Sequence, residues 1–281
     1  MLRTIGPLFL LPIALCSQAS FAQTSQQAPE KKLPGPDINA VTVQQQPQVA
    51  PPSDFATPEE LEQTGDKLRA QKAFNDAVEY YQVALKKKPD SAVVHNKLGI
   101  TYLQLNLLTD AAKEFQRSSK LDKAYPEPLN NIGVIEYIKK KYGKAIHDYE
   151  KALKLKEDSA SFHSNLGTAY FGKKEFEKAM TEYARAMQLD PDIFEHQSMA
   201  GVGLRLSSPE DRARYAYTMA KLCAERGMFD RSIRYLKKAI EGEYPGINDA
   251  YKEPAFDKLR QDPQFAGQFA LVMQKKDTLT Q

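Results

Sequence analysis

From about residue 58 onward, apolar positions recur at spacings of three and four, the pattern of helices that each bury one face. Breaks near Gln71 to Ala73, Asn106, Lys140 to Gly143 and Lys173 to Glu175 predict tight turns between those helices. A longer period of thirty-four residues runs through the same region. Gly65, Gly99, Gly133, Gly167 and Gly201 mark it, and Ala77, Ala111, Ala145, Ala179 and Ala213 follow each Gly twelve residues later. Four residues after each Ala stands a large ring: Tyr81, Phe115, Tyr149, Tyr183 and Tyr217. Each unit therefore reads as a helix A, a turn and a helix B. The Gly and Ala mark where two backbones come close, and the ring fills the space beside them. A stack of such hairpins supplies surface rather than a catalytic pocket, so the expected activity is binding.

Leu61, Gly65, Leu68, Ala77, Tyr81, Ala84 and Pro89 in the first unit, and His163, Leu166, Gly167, Tyr170, Ala179, Tyr183, Ala186 and Pro191 in the fourth, form a pattern that resembles the tetratricopeptide repeat (TPR). The resemblance implies an all-α superhelical solenoid of helix-turn-helix hairpins with a C-terminal capping region. Four repeats are expected at 58–91, 92–125, 126–159 and 160–193, with Lys123 and Glu157 in place of the closing Pro in the middle two.

Beyond 193 the beat degrades. Residues 194–208 keep Gly201 in phase but hold a poor helix interior, and are expected to be a degraded half-repeat. Ser208 and Pro209 are a cap and a first-turn residue for a new helix. That helix can be phased two ways. Ala213, Tyr217 and Ala220 continue the old beat as a helix B, while Gly227, Asp230, Ser232, Leu236 and Ala239 make it the first helix of a further hairpin. The second phasing is favoured, giving a terminal hairpin at 209–242. A cap follows at 243–281, with helices around 255–260 and 263–275 and with Phe256, Leu259, Phe265 and Phe269 covering the last apolar face.

The N-terminus has a different character. Arg3, the apolar run Ile5 to Leu15 and Ser20-Phe21-Ala22 predict a signal peptide at 1–22, cut before Gln23, and hence a periplasmic or secreted protein. The run is too short, and too broken by Pro7 and Pro12, for a membrane span. A lipid anchor at Cys16 is the competing reading, against which stands Leu15 where a small residue is required. Residues 23–57 are rich in Gln and Pro and are expected to be a disordered linker, in which only Ile38 to Val43 has strand-like character.

Loss of Arg3 with the leader leaves 38 Lys and Arg against 36 Asp and Glu, as counted over the 281-residue chain. The balance conceals polarity, because residues 86–156 hold fifteen basic residues against eight acids, with runs at Lys86 to Lys88 and Lys139 to Lys141. Catalytic motifs are missing: no H-E-x-x-H, paired-Cys motif, phosphate loop or nucleophile elbow occurs. His95 and His163 occupy the bulky first position of their repeats, as packing residues. Cys223 is the one Cys left after processing and cannot form an intrachain disulfide. Neither an enzyme nor a cofactor is expected, and nucleic acid is not an expected partner, since no aromatic residues interleave the basic runs. Oligomeric state is not encoded in any pattern found.

In the family, helices A line a concave face. The resemblance places Gln63 and Asp66 there, then Asn96, Lys97, Ile100 and Leu103, then Asn130, Asn131, Val134 and Tyr137, and lastly Ser164, Asn165, Thr168 and Phe171. Amides beside apolar patches can donate to and accept from a peptide backbone at once, so an extended peptide or protein segment is the expected partner. Members that grip a terminal carboxylate use Lys and Asn in the first repeat and Lys and Arg in the third, where this chain has Glu62 and Asp66, then Glu127 and Asn131, which sets that ligand aside. The expected function is an exported adaptor in envelope assembly or secretion. The alternative is weak association with anionic envelope polymers or lipid headgroups through the basic surface of repeats 2 and 3.

Overall fold

A computed structural model describes residues 50–195 and 208–279. The leader, Cys16, the strand-like Ile38 to Val43, and His196 and Gly201 of the expected half-repeat lie outside the described residues. Among the described residues every regular element is a helix. Four hairpins come first: α1 (Pro58–Ala70) with α2 (Phe74–Lys87), α3 (Ala92–Gln104) with α4 (Leu108–Leu121), α5 (Glu127–Ile138) with α6 (Tyr142–Leu155), and α7 (Ala160–Gly172) with α8 (Phe176–Leu189). Then come α9 (Pro209–Glu225), α10 (Phe229–Glu241), two short 3-10 turns, α11 (Asp257–Gln261) and α12 (Ala266–Leu279).

Local chemistry sets the helix ends. At the start of α1, Thr57 accepts from the Glu60 backbone N–H while the Glu60 carboxylate takes the Thr57 N–H at 2.8 Å, a reciprocal cap with Pro58 in the first turn. Each first helix of a hairpin ends on a left-handed residue: Lys72, Asn106, Lys140, Lys174 and, in the last hairpin, Gly227. The next residue's N–H then closes back five residues, as Ala73 does to Leu68 at 2.9 Å and Lys141 to Glu136 at 2.8 Å, satisfying carbonyls the helix leaves free. Gly143, expected in the third turn, lies inside α6, because the turn is complete at Lys141.

Within hairpins, the repeated Gly is where the ring lies. A Cβ at Gly65, Gly99, Gly133 or Gly167 would sit 2.6–2.7 Å from an atom of Tyr81, Phe115, Tyr149 or Tyr183. Those four rings and Ala77, Ala111, Ala145 and Ala179 are fully buried. The α9–α10 hairpin uses a compensated version of the same crossing. Ser232 donates to the Ala220 carbonyl at 2.8 Å, and Leu236 stands four residues after Ser232, where the other hairpins have a ring. A smaller side chain on α10 tolerates a methyl on α9. Ala213 belongs to α9 and meets the Gly242 position beyond α10, so it does not act as a helix-B Ala.

Chain outside the hairpins touches both ends of the stack, and packs a core at one of them. Before α1, the Lys87 Nζ donates to the carbonyls of Asp54 and Ala56 at 2.5 and 2.6 Å, and the Tyr80 hydroxyl donates to that of Ala50 at 2.9 Å. At the other end, Phe256, Leu259, Phe265 and Phe269 join Tyr217, Ile233 and Leu236 in one core, so the C-terminal region covers the last hairpin's apolar face.

Candidate interaction surface

Asn96 on α3, Asn130 and Asn131 on α5, and Asn165 on α7 share the inner side of the first helices, and the structure joins them in a single chain of bonds. The Asn165 amide donates to Asn130 Oδ1 at 2.9 Å, Asn130 to Asn131 Oδ1 at 3.3 Å, Asn131 to Asn96 Oδ1 at 3.0 Å, and Asn96 to the Tyr125 hydroxyl at 3.1 Å. The four are 3, 5, 9 and 3% exposed for Asn96, Asn130, Asn131 and Asn165. Asn131 and Asn165 were expected outside the packed interior; both are inside it, because helices close enough to stack leave these short side chains facing one another.

The ladder has a charged first rung. Lys97 reaches back to Glu62 and Asp66 of α1, each at 2.6 Å, with Asp66 also accepting from the Tyr81 hydroxyl at 2.6 Å. Burial disfavours the Lys97 ammonium, but its hydrogen bonds to the two carboxylates outweigh it and hold the group above its usual value. Three links across successive repeats (Lys97 to Glu62, Asn131 to Asn96, Asn165 to Asn130) share one offset of thirty-five residues.

The apolar candidates are also largely enclosed. Val134 and Tyr137 are buried, Tyr137 against Tyr142 with centroids 5.5 Å apart, and burial pushes its hydroxyl up to about 12. Thr168 donates to the Ser164 carbonyl at 2.8 Å and accepts from the Tyr183 hydroxyl at 3.3 Å. Phe171 is 1% exposed, held between Phe176 and Tyr215 of α9 at 5.1 and 6.0 Å. What stays half-buried beside the ladder is Lys97, Ile100, Leu103, Tyr125 and Ser164. Tyr125 was missed from the sequence because it closes its repeat, in the loop between α4 and α5; its signal is the ring itself, twenty-nine residues after the Asn whose amide it accepts.

His95 and His163 sit in equivalent places, each with Nδ1 2.6 Å from a second-helix carboxylate, Glu114 or Glu182. Burial pushes the Cys223 thiol up to about 11, the wrong direction for a nucleophile. The two basic runs differ. Lys87 and Lys88 are spent on the entering chain and on Glu59, at 3.1 Å for the latter, whereas Lys139, Lys140 and Lys141 are exposed.

Known proteins resemble this one as follows. A family model described as TPR repeat matches residues 65–106 and 133–174, and one described as Tetratricopeptide repeat matches 160–193. Hsp70-Hsp90 organizing protein 1 of Glycine max is 24% identical over 88 residues, covering 31% of this chain and 15% of that relative's length. Among solved structures, MamA is 24% identical with a TM-score of 0.45, over 67% of this chain and 97% of that one. The pilF protein of Pseudomonas aeruginosa is 19% identical with a TM-score of 0.49, over 66% of this chain and 76% of that one.

Proposed function

Because the hairpins are tetratricopeptide repeats, an interaction scaffold by nature, we propose that this protein is an exported adaptor that holds an extended segment of a partner protein along the inner side of α1, α3, α5 and α7. The observation that carries the reading is the amide ladder. Each ladder Asn spends one N–H on its neighbour, which fixes the plane of the side chain before any ligand arrives. A fixed floor holds the half-buried side chains beside it in place, which lowers the ordering cost of binding. Asn96, Asn130, Asn131 and Asn165 set the groove's polar floor in this proposal, Lys97 and Thr168 flank it, and Val134, Tyr137 and Phe171 support it from beneath. Contact with the partner then falls on the half-buried Ile100, Leu103, Tyr125 and Ser164.

The Glycine max relative is named for Hsp70 and Hsp90. A partner gripped by its terminal carboxylate is not what we propose, since Glu62 and Asp66 already share Lys97 at the first rung. Export rests on the Arg3-to-Ala22 pattern and is tested by N-terminal sequencing of the mature protein, with Gln23 expected first.

The groove is tested by photo-crosslinking. A benzophenone amino acid placed at Ile100 or Ser164 is expected to trap the same partner, which the same residue at Gln116 on the outer helix α4 leaves free. Crosslinks confined to Gln116 overturn the reading.

A further inference from the structure

The turns of the third and fourth hairpins are both rich in Lys, and the structure treats them differently. At the fourth, Lys173 and Lys178 meet Glu175 at 2.6 and 2.8 Å, and Lys174 pairs with Asp211 of α9. At the third, Lys141 stands where the fourth has Glu175, thirty-four residues on. Helices α2, α4, α8 and α10 each carry an acid in the first turn (Asp76, Asp110, Glu177 and Asp230), and α6 carries none. Lys139, Lys140, Lys141 and Lys144 are all exposed, and no ion pair reaches them among the described residues. The second hairpin's turn presents Leu107, 45% exposed, one repeat before Lys141 on the same edge.

Like charges without ion pairs, on one edge with an exposed apolar side chain and with only Lys144 near a fixed carboxylate, Asp148, favour an occupant that brings both acids and apolar groups. A second copy of this chain is poorly suited to supply the acids. Its acidic first repeat is already committed: Glu59 to Lys88, Glu60 to Thr57, and Glu62 and Asp66 to Lys97. We propose that the turn edge of the second and third hairpins docks an acidic segment of a partner polypeptide, its carboxylates on Lys139, Lys140, Lys141 and Lys144 and an apolar side chain on Leu107. Leu107, Lys139, Lys140 and Lys141 lie on the turns and Lys144 in the first turn of α6, none of them a member of the amide ladder, so this site stands or falls separately from the groove.

The experiment uses the full chain and three variants. One carries Lys139→Glu, Lys141→Glu and Lys144→Glu. A second carries Lys123→Glu, Lys154→Glu and Lys156→Glu, an equal change of charge at exposed lysines on the opposite edge. The third is Leu107→Ser. The probe is a fluorescent dodecapeptide of alternating Glu and Leu, with a Gln-Leu version, inorganic polyphosphate and phosphatidylglycerol vesicles alongside, at about 0.15 M salt. The corner variant is expected to weaken Glu-Leu peptide binding about tenfold or more, Leu107→Ser about threefold, and the opposite-edge variant less than about twofold. Circular dichroism checks that all three fold; should the Glu triple unfold, the corresponding Gln triple replaces it. Equal loss in both triples, indifference to Leu107, failure of the peptide to bind, or tighter Lys139-dependent binding of polyphosphate or vesicles each overturns the proposal.

Discussion

Asn131 on α5 donates to Asn96 on α3 at 3.0 Å, and neither amide reaches bulk solvent to any extent. A bond of this kind is worth little while made and much when half of it is removed, because the orphaned partner has lost its water and gained nothing. The inner row of amides therefore acts on the register of neighbouring hairpins as well as on whatever lies over it.

Asn130 is an interior rung, accepting from Asn165 and donating to Asn131. Asn130→Leu is expected to cost about 1–3 kcal/mol by stranding both partners. Asn130→Leu combined with Asn165→Leu should cost less than the sum of the single changes, since one stranded donor is removed with its acceptor. Urea denaturation of the four species measures the coupling, and strict additivity would show that the amides do not bond.

Two glycines only ten residues apart are expected to respond in opposite directions. A methyl at Gly133 meets the Tyr149 ring at 2.6 Å, and that ring has nowhere to go, so Gly133→Ala should destabilise by roughly 1–3 kcal/mol. Gly143, in the first turn of α6, has nothing within 4 Å, and Gly143→Ala should stabilise by up to about 1 kcal/mol through helix propensity. Thermal melts of the two variants give the signs directly.

Cys223 is expected to be silent toward thiol reagents in the native protein. With the thiol pushed up to about 11, its thiolate fraction at pH 8 is about a hundredfold or more below that of an ordinary Cys near 8.5. Ellman's reagent should label it slowly in buffer and at once in denaturant. Fast native labelling would mean that the core around Met219 and Leu222 opens readily.

Asp148 on α6 gives a pH signature. Burial raises its carboxyl first and outweighs Lys151, His147 and Lys144, which lower it, while Glu136 adds to the rise. A carboxyl raised in the folded state is a burden once ionised. Stability from this site is greatest below the unfolded value, near 4, and is lost as pH rises through the folded one. Asp148→Asn should therefore melt above the parent at pH 7, with the gap closing as pH falls toward about 4. A gap that widens on acidification contradicts the sign.

Which parts of this were legible in the sequence follows from how far apart the interacting residues lie. The Gly and ring of one hairpin belong to a single repeat, so the thirty-four-residue beat exposes Gly65 with Tyr81 as readily as Gly167 with Tyr183. The ladder joins different positions of successive repeats, at an offset of thirty-five, and a search for one recurring column passes over it. Asn96 and Asn131 accordingly looked like two copies of a free inner-face amide, when one is the other's acceptor. Phe171 looked like groove surface for a related reason. Its cover, Tyr215, comes from α9, whose phase was ambiguous and whose distance in sequence hides the contact. The left-handed Lys140 was obscured by Gly143, the residue type better suited to that backbone and standing three positions too late.

Phe256 packed on Tyr217 has a consequence for the history of the chain. A solenoid whose last hairpin ended on a bare face could lengthen by adding units at its tip, but here a new unit at the C-terminal tip would have to displace the packed cap. Growth by duplication is thereby directed to the interior, where a copied thirty-four-residue module would bring its own Asn rungs and bond to the modules on both sides.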